Sequence, residues 1–488
     1  MMTGNQKKQL WVLFLLGLAS RLIFVYWNQG EYTDGILQLT LFSSAASNTF
    51  FMPLYTVLAE GLNCLFRDME LSGKLVSMIS GVAGIFPVYF MARRLKNHRA
   101  GVLAAALYLV SPEIWRWHNR VMTDALFNTL FLWCLAHLVA VWNSQDDGES
   151  IIKHLGFAWL AGGLAVLTRY QGMALFPILG WMTVRRKVSF KVLFKPSNLS
   201  VWVTAFVSWV MLPLWWSYRG SGHMGQYMER TATDTFTTLA AYLTMGEGFV
   251  TFFPYVATYP VFIVFLYALF CGHWNRSFKF MIGLLVYLWM AWLAAHAPFQ
   301  SFQFRYFLPL ISLTIVVSAC GAIQLQEINN RVWRKSVVGF LILYSLLFAI
   351  VSLYVQRGTF GDIHQAADYM RDKLAGKRIF DNEIYRQGTT NSKIRFWSGL
   401  PVEYYDLALV QPGDYICLHN IQTDLAYELG QINRRFVIIP EAQFTARTLP
   451  LLPDIMVTPQ VTSRPEALLY RYFPQSFETV IIRVESRP

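Results

Sequence analysis

Two long apolar runs constrain the fold more than any other feature of the sequence. Leu10–Trp27 contains a single charged residue, Arg21, and Val337–Val355 contains none. Runs of about 18 or more such residues are typical of membrane helices, because in lipid every backbone polar group must be hydrogen-bonded within its own segment. Only 14% of the residues are charged, whereas a soluble domain carries roughly 25%. We therefore predict a polytopic α-helical membrane protein.

The basic residues are distributed as in proteins of the inner (plasma) membrane. The net charge is +12, but most of the Lys and Arg residues lie in short clusters between apolar runs, at 93–99, 185–195 and 331–335. Such clusters face the cytoplasm, so the charge does not indicate a nucleic-acid partner. With the N-terminus in the cytoplasm, the pattern predicts about 11 transmembrane helices: 10–27, 74–92, 100–111, 125–142, 154–168, 172–184, 200–217, 250–271, 280–296, 307–324 and 336–355.

The last part of the chain differs from the rest in its pattern of polar and apolar residues. From about Gly361 onward, polar and apolar residues mix, and helical stretches are expected at Ile363–Leu374 and Thr423–Gly430. Residues 1–355 are thus predicted to form the transmembrane domain, and residues 356–488 a small C-terminal α/β domain on the extracytoplasmic side. Its predicted strands are Lys377–Phe380, Lys393–Trp397, Val402–Tyr405, Tyr415–Leu418, Phe436–Ile439 and Thr479–Val484.

Ionisable residues gather in the predicted outer loops rather than in the middle of the spans. Each has a plain structural explanation: Asp34 precedes Gly35 in a turn, Asp124 opens a helix whose dipole favours an acid, and Arg305 can extend to lipid headgroups. The alternative is that these groups converge on an anionic substrate, since guanidinium groups bind phosphate well. The residues alone leave both readings open. The group comprises Glu31, Asp34, Glu113, Arg116, His118, Arg120, Asp124, Arg169, His296 and Arg305.

The five cysteines do not indicate a disulfide framework or a metal site. None of them occurs in a CxxC or similar spacing, and several lie in or beside apolar runs. Cysteine in such places usually acts as a small apolar residue. The sequence also contains no acidic triplet or DxD-like motif that would suggest a metal, so we expect no metal and no cofactor.

An ordered set of short motifs resembles the C-type glycosyltransferases (GT-C), in particular the branch of protein O-mannosyltransferases and lipid A aminoarabinose transferases. The resemblance covers roughly residues 10–320. The motifs are Asp34 after the first span, Pro53-Leu54-Tyr55, Tyr89-Phe90-Met91-Ala92-Arg93-Arg94-Leu95, Ser111-Pro112, Thr123-Asp124, Leu167-Thr168-Arg169 and Arg305-Tyr306-Phe307-Leu308-Pro309.

The resemblance implies an enzyme that moves a sugar, with inversion, from a polyprenyl-phosphate carrier to a lipid, glycan or protein acceptor on the outer face of the membrane. It makes Asp34 the general base, although relatives often carry paired acids here and Glu31 is the other candidate. Arg305, with Arg169 or Arg120, would neutralise the leaving phosphate. The predicted pocket and catalytic set is completed by Asp124, Tyr55, His296 and Tyr306.

Two other functions fit part of the sequence. A lipid-carrier flippase or transporter would use the outer charges only as anchors, but the gathering of titratable groups in the outer loops argues against it. A lipid-linked glycan polymerase or ligase would use a diphosphate donor and would be expected to carry a large, arginine-rich outer loop late in the chain. The predicted loop at 218–249 is modest.

Overall fold

The computed structural model describes residues 3–42, 51–144, 148–186, 196–219, 253–272, 275–296, 301–328, 331–382, 393–420, 424–448, 455–457 and 475–487. Fifteen α-helices with fully described bounds lie in the part of the chain that ends at Gln356. They are α1 Gly4–Val25, α2 Thr33–Leu39, α3 Leu54–Phe66, α4 Met69–Ala83, α5 Ile85–Leu95, α6 His98–Val110, α7 Pro112–His118, α8 Asp124–Asn143, α9 Gly148–Thr168, α10 Phe176–Arg185, α11 Pro196–Arg219, α12 Tyr259–Cys271, α13 Arg276–His296, α14 Leu308–Ile328 and α15 Arg331–Gln356. Two short 3-10 helices, Tyr170–Leu175 and Phe304–Phe307, precede α10 and α14.

Seven described helical segments are long and apolar enough to cross a membrane. The predicted polytopic helical architecture is confirmed, while the count of eleven crossings stays a prediction. One reason is that several predicted spans correspond to shorter apolar helices, among them α6 and α12. Another is that α4 and α5 follow each other so closely that they form a single apolar segment, Met69–Leu95, which is longer than the predicted span 74–92.

The helices pack around α14. Of the most apolar part of Phe304–Leu325, 94% of the residues are buried inside the protein, against 22% for α1. Helix α1 therefore lies at the periphery, with its apolar side chains available to lipid. The backbone of α14 approaches α12 closely, because a Cβ added at Gly321 would lie 2.7 Å from the Cβ of Ala268. Small residues commonly allow such close approach between membrane helices.

The C-terminal part is a small α/β unit, as predicted. Its elements, with the short strand β1 that precedes α14, are β1 Ser301–Gln303, α16 Gly361–Lys373, β2 Ile379–Asp381, α17 Lys393–Ser398, β3 Glu403–Tyr404, β4 Tyr415–His419, α18 Leu425–Arg435, β5 Val437–Thr448, β6 Ile455–Val457 and β7 Gln475–Glu485. A five-stranded mixed sheet has the order β3-β2-β4-β7-β5, in which β2 is parallel to both β3 and β4, and β7 is antiparallel to both β4 and β5. A separate antiparallel pair joins β1, just before α14, to β6.

The strand predicted at Lys393–Trp397 is wrong, because these residues form helix α17. Lys393, Ile394, Trp397 and Ser398 are buried, a spacing of three and four residues that belongs to one face of a helix. Ile394 and Trp397 pack into the apolar cluster under α16. Tertiary packing outweighs the β-propensity of the aromatic and branched residues here.

The α/β unit docks on the end of the bundle where α1 ends and α2 begins. The Trp397 indole donates a hydrogen bond to Glu70 Oε2 at 2.7 Å, which ties α17 to α4. The backbone amide of Gln29 donates to the carbonyl of Arg357 at 3.0 Å. Ile36 of α2 is part of the same apolar cluster as the first turn of α16. The α/β unit therefore packs directly against the segment that carries Asp34.

We expect Trp397→Phe to weaken this docking, because it keeps an aromatic ring and removes the N–H that bonds to a carboxylate. Hydrogen bonds to charged groups contribute about 1.5–3 kcal/mol, so the free energy of unfolding should fall by about that amount. Circular dichroism during denaturation of the purified protein would measure it. Tyr404→Phe is the control, since Tyr404 is 56% exposed. Equal stability of the two variants would contradict the docking role.

Candidate functional site

An ion pair joins two segments that are far apart in the sequence. Asp34 lies in the first turn of α2, and Arg305 lies in the 3-10 turn that leads into α14. The Arg305 Nη2 atom donates to Asp34 Oδ2 at 2.5 Å. Helix α2 can approach this place because position 35 is glycine: a Cβ there would lie 2.1 Å from the carbonyl oxygen of Val121.

A second ion pair lies beside the first. Arg169 Nη1 donates to Asp124 Oδ2 at 2.9 Å and to Thr123 Oγ1 at 3.0 Å. The ring of Tyr306 connects the two pairs, since the guanidinium carbons of Arg169 and Arg305 lie 4.9 Å and 5.4 Å from its centre. We call Asp34, Asp124, Arg169, Arg305 and Tyr306 the charged cluster. The structure thus brings five of the nine predicted site residues together.

The four charged side chains of the charged cluster differ in their exposure to solvent. The side chain of Asp34 is 19% exposed and that of Arg169 is 12% exposed, whereas Arg305 and Asp124 are 4% and 2% exposed. Arg305 is also held by contacts beneath it, with the Trp117 ring 5.5 Å from its guanidinium carbon and Met122 Sδ 3.5 Å from Nη1. Asp34 is therefore the carboxylate of this cluster that a substrate can reach most readily.

Glu31, the other candidate base, is in a different environment. It is fully buried, its Oε2 accepts the backbone N–H of Val121 at 3.0 Å, and its Oε1 lies 3.4 Å from Lys74 Nζ. Burial raises the pKa of Glu31, and the nearby charges of Lys74 and Arg120 oppose that rise. Lys74 is shared with Glu70, 2.6 Å away. These contacts are those of a residue that holds the turn in place.

Arg120 belongs with Glu31 rather than with the charged cluster. Its Nη1 donates to the carbonyl of Gly30 at 3.0 Å, and its guanidinium lies over the ring of Tyr32, 4.9 Å from the ring centre. The side chain therefore fixes the turn between α1 and α2, one residue away from Glu31.

Of the two remaining predicted pocket residues, Tyr55 is not part of the charged cluster. Tyr55 is fully buried, and its hydroxyl bonds to the carbonyl of Gly73 at 2.8 Å and to Ser77 Oγ at 3.0 Å, both in α4. Tyr55 therefore joins α3 to α4. The backbone of His296 ends α13, but its side chain lies outside the described residues.

Sequence reasoning missed Lys74, which it placed at the edge of a span. The signal was available: a lysine in an apolar run, four residues after Glu70, is expensive unless it is paired. The sequence also did not indicate a role for Trp117. Its ring lies under Arg305, and its indole N–H donates to Glu113 at 2.7 Å. Burial raises the pKa of Glu113, and the negative charge of Asp124 in the charged cluster adds to that rise.

Comparison with known proteins finds one segment that matches a protein family and a fold that is similar to those of solved structures. Residues 52–216 match the family described as dolichyl-phosphate-mannose-protein mannosyltransferase. No protein of curated function matches the sequence. The fold is similar to that of ArnT from Cupriavidus metallidurans, solved in the apo state (TM-score 0.59, 14% identity) and bound to undecaprenyl phosphate (TM-score 0.60, 13% identity), with 97% of each chain covered in both cases.

A further similar structure is the arabinofuranosyltransferase AftD from Mycobacteria, with a TM-score of 0.50 and 12% identity over 97% of this chain and 40% of that one. The family match and the fold together confirm the resemblance to C-type glycosyltransferases that the sequence motifs predicted. At these identities the structures establish the fold.

Replacing Lys74 tests the reading of Glu31 as a structural residue. Lys74→Met leaves Glu31 and Glu70 without their shared cation, and removing one partner of a buried pair costs about 3–5 kcal/mol. The added change Glu31→Gln should restore part of that loss, by at least about 1 kcal/mol, in a double-mutant cycle. Lys279→Met, at an exposed position, is the matched control. A Lys74→Met protein as stable as this control would contradict the assignment.

Proposed function

We propose that the chain is an integral-membrane glycosyltransferase that takes a sugar from a polyprenyl-phosphate carrier and transfers it at the charged cluster. The observation that carries the proposal is the pairing of the accessible carboxylate Asp34 with Arg305, next to the second guanidinium of Arg169. A base and two cations on one surface are the groups that such a transfer needs.

The donor phosphate would bind to Arg305 and Arg169. Both guanidiniums lie against the ring of Tyr306, and in the proposed complex one phosphate group beside this ring contacts both. A phosphate competes with a carboxylate for the same N–H groups. Binding of the donor to Arg305 would therefore displace Asp34 from its 2.5 Å ion pair, so that its carboxylate can accept a proton. We infer that donor binding prepares the base.

The reaction would proceed in one displacement. Asp34 takes the proton of an acceptor hydroxyl, whose oxygen attacks the anomeric carbon from the face opposite the phosphate. The bond from that carbon to the phosphate oxygen breaks, and its electron pair leaves on the polyprenyl phosphate, where Arg305 and Arg169 compensate the charge. One displacement inverts the anomeric configuration. The step needs no metal or cofactor, and the acceptor is a lipid, glycan or protein hydroxyl.

The orientation in the membrane is part of the proposal. Basic residues collect at the end of the bundle opposite the charged cluster, where Arg186 Nη2 bonds to the carbonyl of Trp142 at 3.0 Å and the Trp142 indole bonds to the carbonyl of Arg276 at 3.3 Å. This end would face the cytoplasm. The charged cluster and the α/β unit, together with the lipid-borne sugar, would then lie on the outer side of the inner membrane.

Transfer from a labelled polyprenyl-phosphate sugar to a membrane extract should depend on Asp34. We expect Asp34→Asn to lower the rate by about 10²–10⁴, the range for loss of a general base, while polyprenyl phosphate still binds. Glu31→Gln is the matched acid-to-amide control and should lower the rate less than tenfold. Transfer by Asp34→Asn at the rate of this control would remove Asp34 as the base.

Arg305→Ala, unlike Asp34→Asn, should weaken binding of the donor as well as lower the rate. We expect weaker binding of polyprenyl phosphate and a rate lower by at least about 10², measured by equilibrium binding and by the same transfer assay. Thermal unfolding of each variant would show that it is folded. Unchanged phosphate binding would contradict the proposed donor site, and absence of transfer from any monophosphate donor in the wild type would favour the transporter or the diphosphate-dependent polymerase.

A further inference from the structure

We propose that the C-terminal sheet holds a zinc ion bound by Asp381, Cys417 and His419. All three residues are buried, and their ligand atoms lie within 4.8 Å of one another. This site would be separate from the charged cluster and does not depend on the proposed transfer reaction. Local spacing did not reveal it, because Asp381 comes from a different strand than Cys417 and His419.

The backbone places the three side chains on one face of the sheet. Strands β2 and β4 are parallel, and Asp381 is the direct partner of Cys417. His419 follows Cys417 by two residues and so points to the same side. Asn382 fixes the end of β4, since its side chain accepts the amide of His419 at 2.8 Å and donates to the carbonyl of His419 at 3.2 Å. Ligands of open α/β sheets usually bind at such carboxyl ends of parallel strands.

The hydrogen bonds of His419 define where its lone pair points. The Thr479 hydroxyl donates its single proton to Asp362 Oδ2 at 2.6 Å, so it accepts from the Nδ1–H of His419, 2.8 Å away. The neutral imidazole then directs the lone pair of Nε2 at Asp381 Oδ1, at 2.7 Å. Two lone pairs that face each other require a cation between them, either a proton or a metal ion.

The neighbouring thiol favours the metal ion. A nitrogen, a sulfur and a carboxylate oxygen form a ligand set suited to zinc, with a water molecule as the fourth ligand. Zinc bonds of about 2.0–2.1 Å at tetrahedral angles would widen the separation of Nε2 and Oδ1 to about 3.3 Å, a shift of less than one ångström. Zinc-bound histidines typically donate their other N–H to a polar group, as His419 does to Thr479.

The zinc ion would stabilise the α/β unit where it contacts the helical bundle. Asp362 opens helix α16, and the next residue, Ile363, packs in one apolar cluster with Ile36 of α2. A zinc site that fixes Thr479 and Asp362 would therefore hold the start of α16 against the helix that carries Asp34.

Metal analysis of the purified full chain, without a histidine tag, tests the proposal. After equilibration with Zn²⁺ and removal of free metal, we expect about one zinc ion per chain. Substitution with Co²⁺ should produce a thiolate-to-cobalt charge-transfer band. Cys417→Ser should abolish the band, whereas Cys320→Ser, at another buried cysteine, should leave it unchanged.

Thr479→Val gives a second test that leaves all three ligands in place. Loss of the bond to Nδ1 should weaken zinc binding by about 10–100-fold, while circular dichroism shows a folded protein. Less than about 0.1 zinc per wild-type chain, or a cobalt band that persists in Cys417→Ser, would overturn the proposal. The pair of His419 and Asp381 would then be held by a proton.

Discussion

The ion pair between Asp34 and Arg305 is the interaction on which the rest of the site depends. It joins residues 271 positions apart at the boundary of an apolar bundle, where an unpaired charge would be costly. Helix α2 and the turn before α14 must therefore meet at one place. Gly35 permits the approach, and Trp117 supports the arginine from below. The β1–β6 pairing, which begins a few residues before Arg305, ties the same turn to the C-terminal part of the chain.

The acids near this pair differ in role because they differ in environment. Glu31 and Asp34 are three residues apart, yet one is fully buried with a lysine and a backbone amide, and the other is partly exposed beside two guanidiniums. A general base must reach its substrate. Solvent exposure therefore distinguishes Asp34 from Glu31, although both are carboxylic acids. In the proposed reaction, the cation that pairs with the base in the free protein becomes the ligand of the donor phosphate.

The sequence was sufficient for the helices and for part of the site. Apolar runs of membrane length are recognisable without tertiary information, and the predicted spans at 125–142 and 280–296 fall within α8 and α13. Residues 393–397 were wrongly predicted as a strand, because only packing against α16 reveals their helical period.

The partners of the charged residues could not be predicted either. The contact of Lys74 with Glu31, and the meeting of Asp381 with Cys417 and His419, depend on contacts between elements that are distant in the chain. Sequence motifs identified Asp34, Asp124, Arg169, Arg305 and Tyr306 as candidates, but not which of them would pair.

A structure of the protein with bound polyprenyl phosphate tests the central claim most directly. The account predicts the phosphate within hydrogen-bonding distance of Arg305 and Arg169, with the carboxylate of Asp34 no longer paired with Arg305 and open to the acceptor side. A phosphate bound away from both arginines, or an Asp34–Arg305 pair that remains intact beside the bound phosphate, would contradict it.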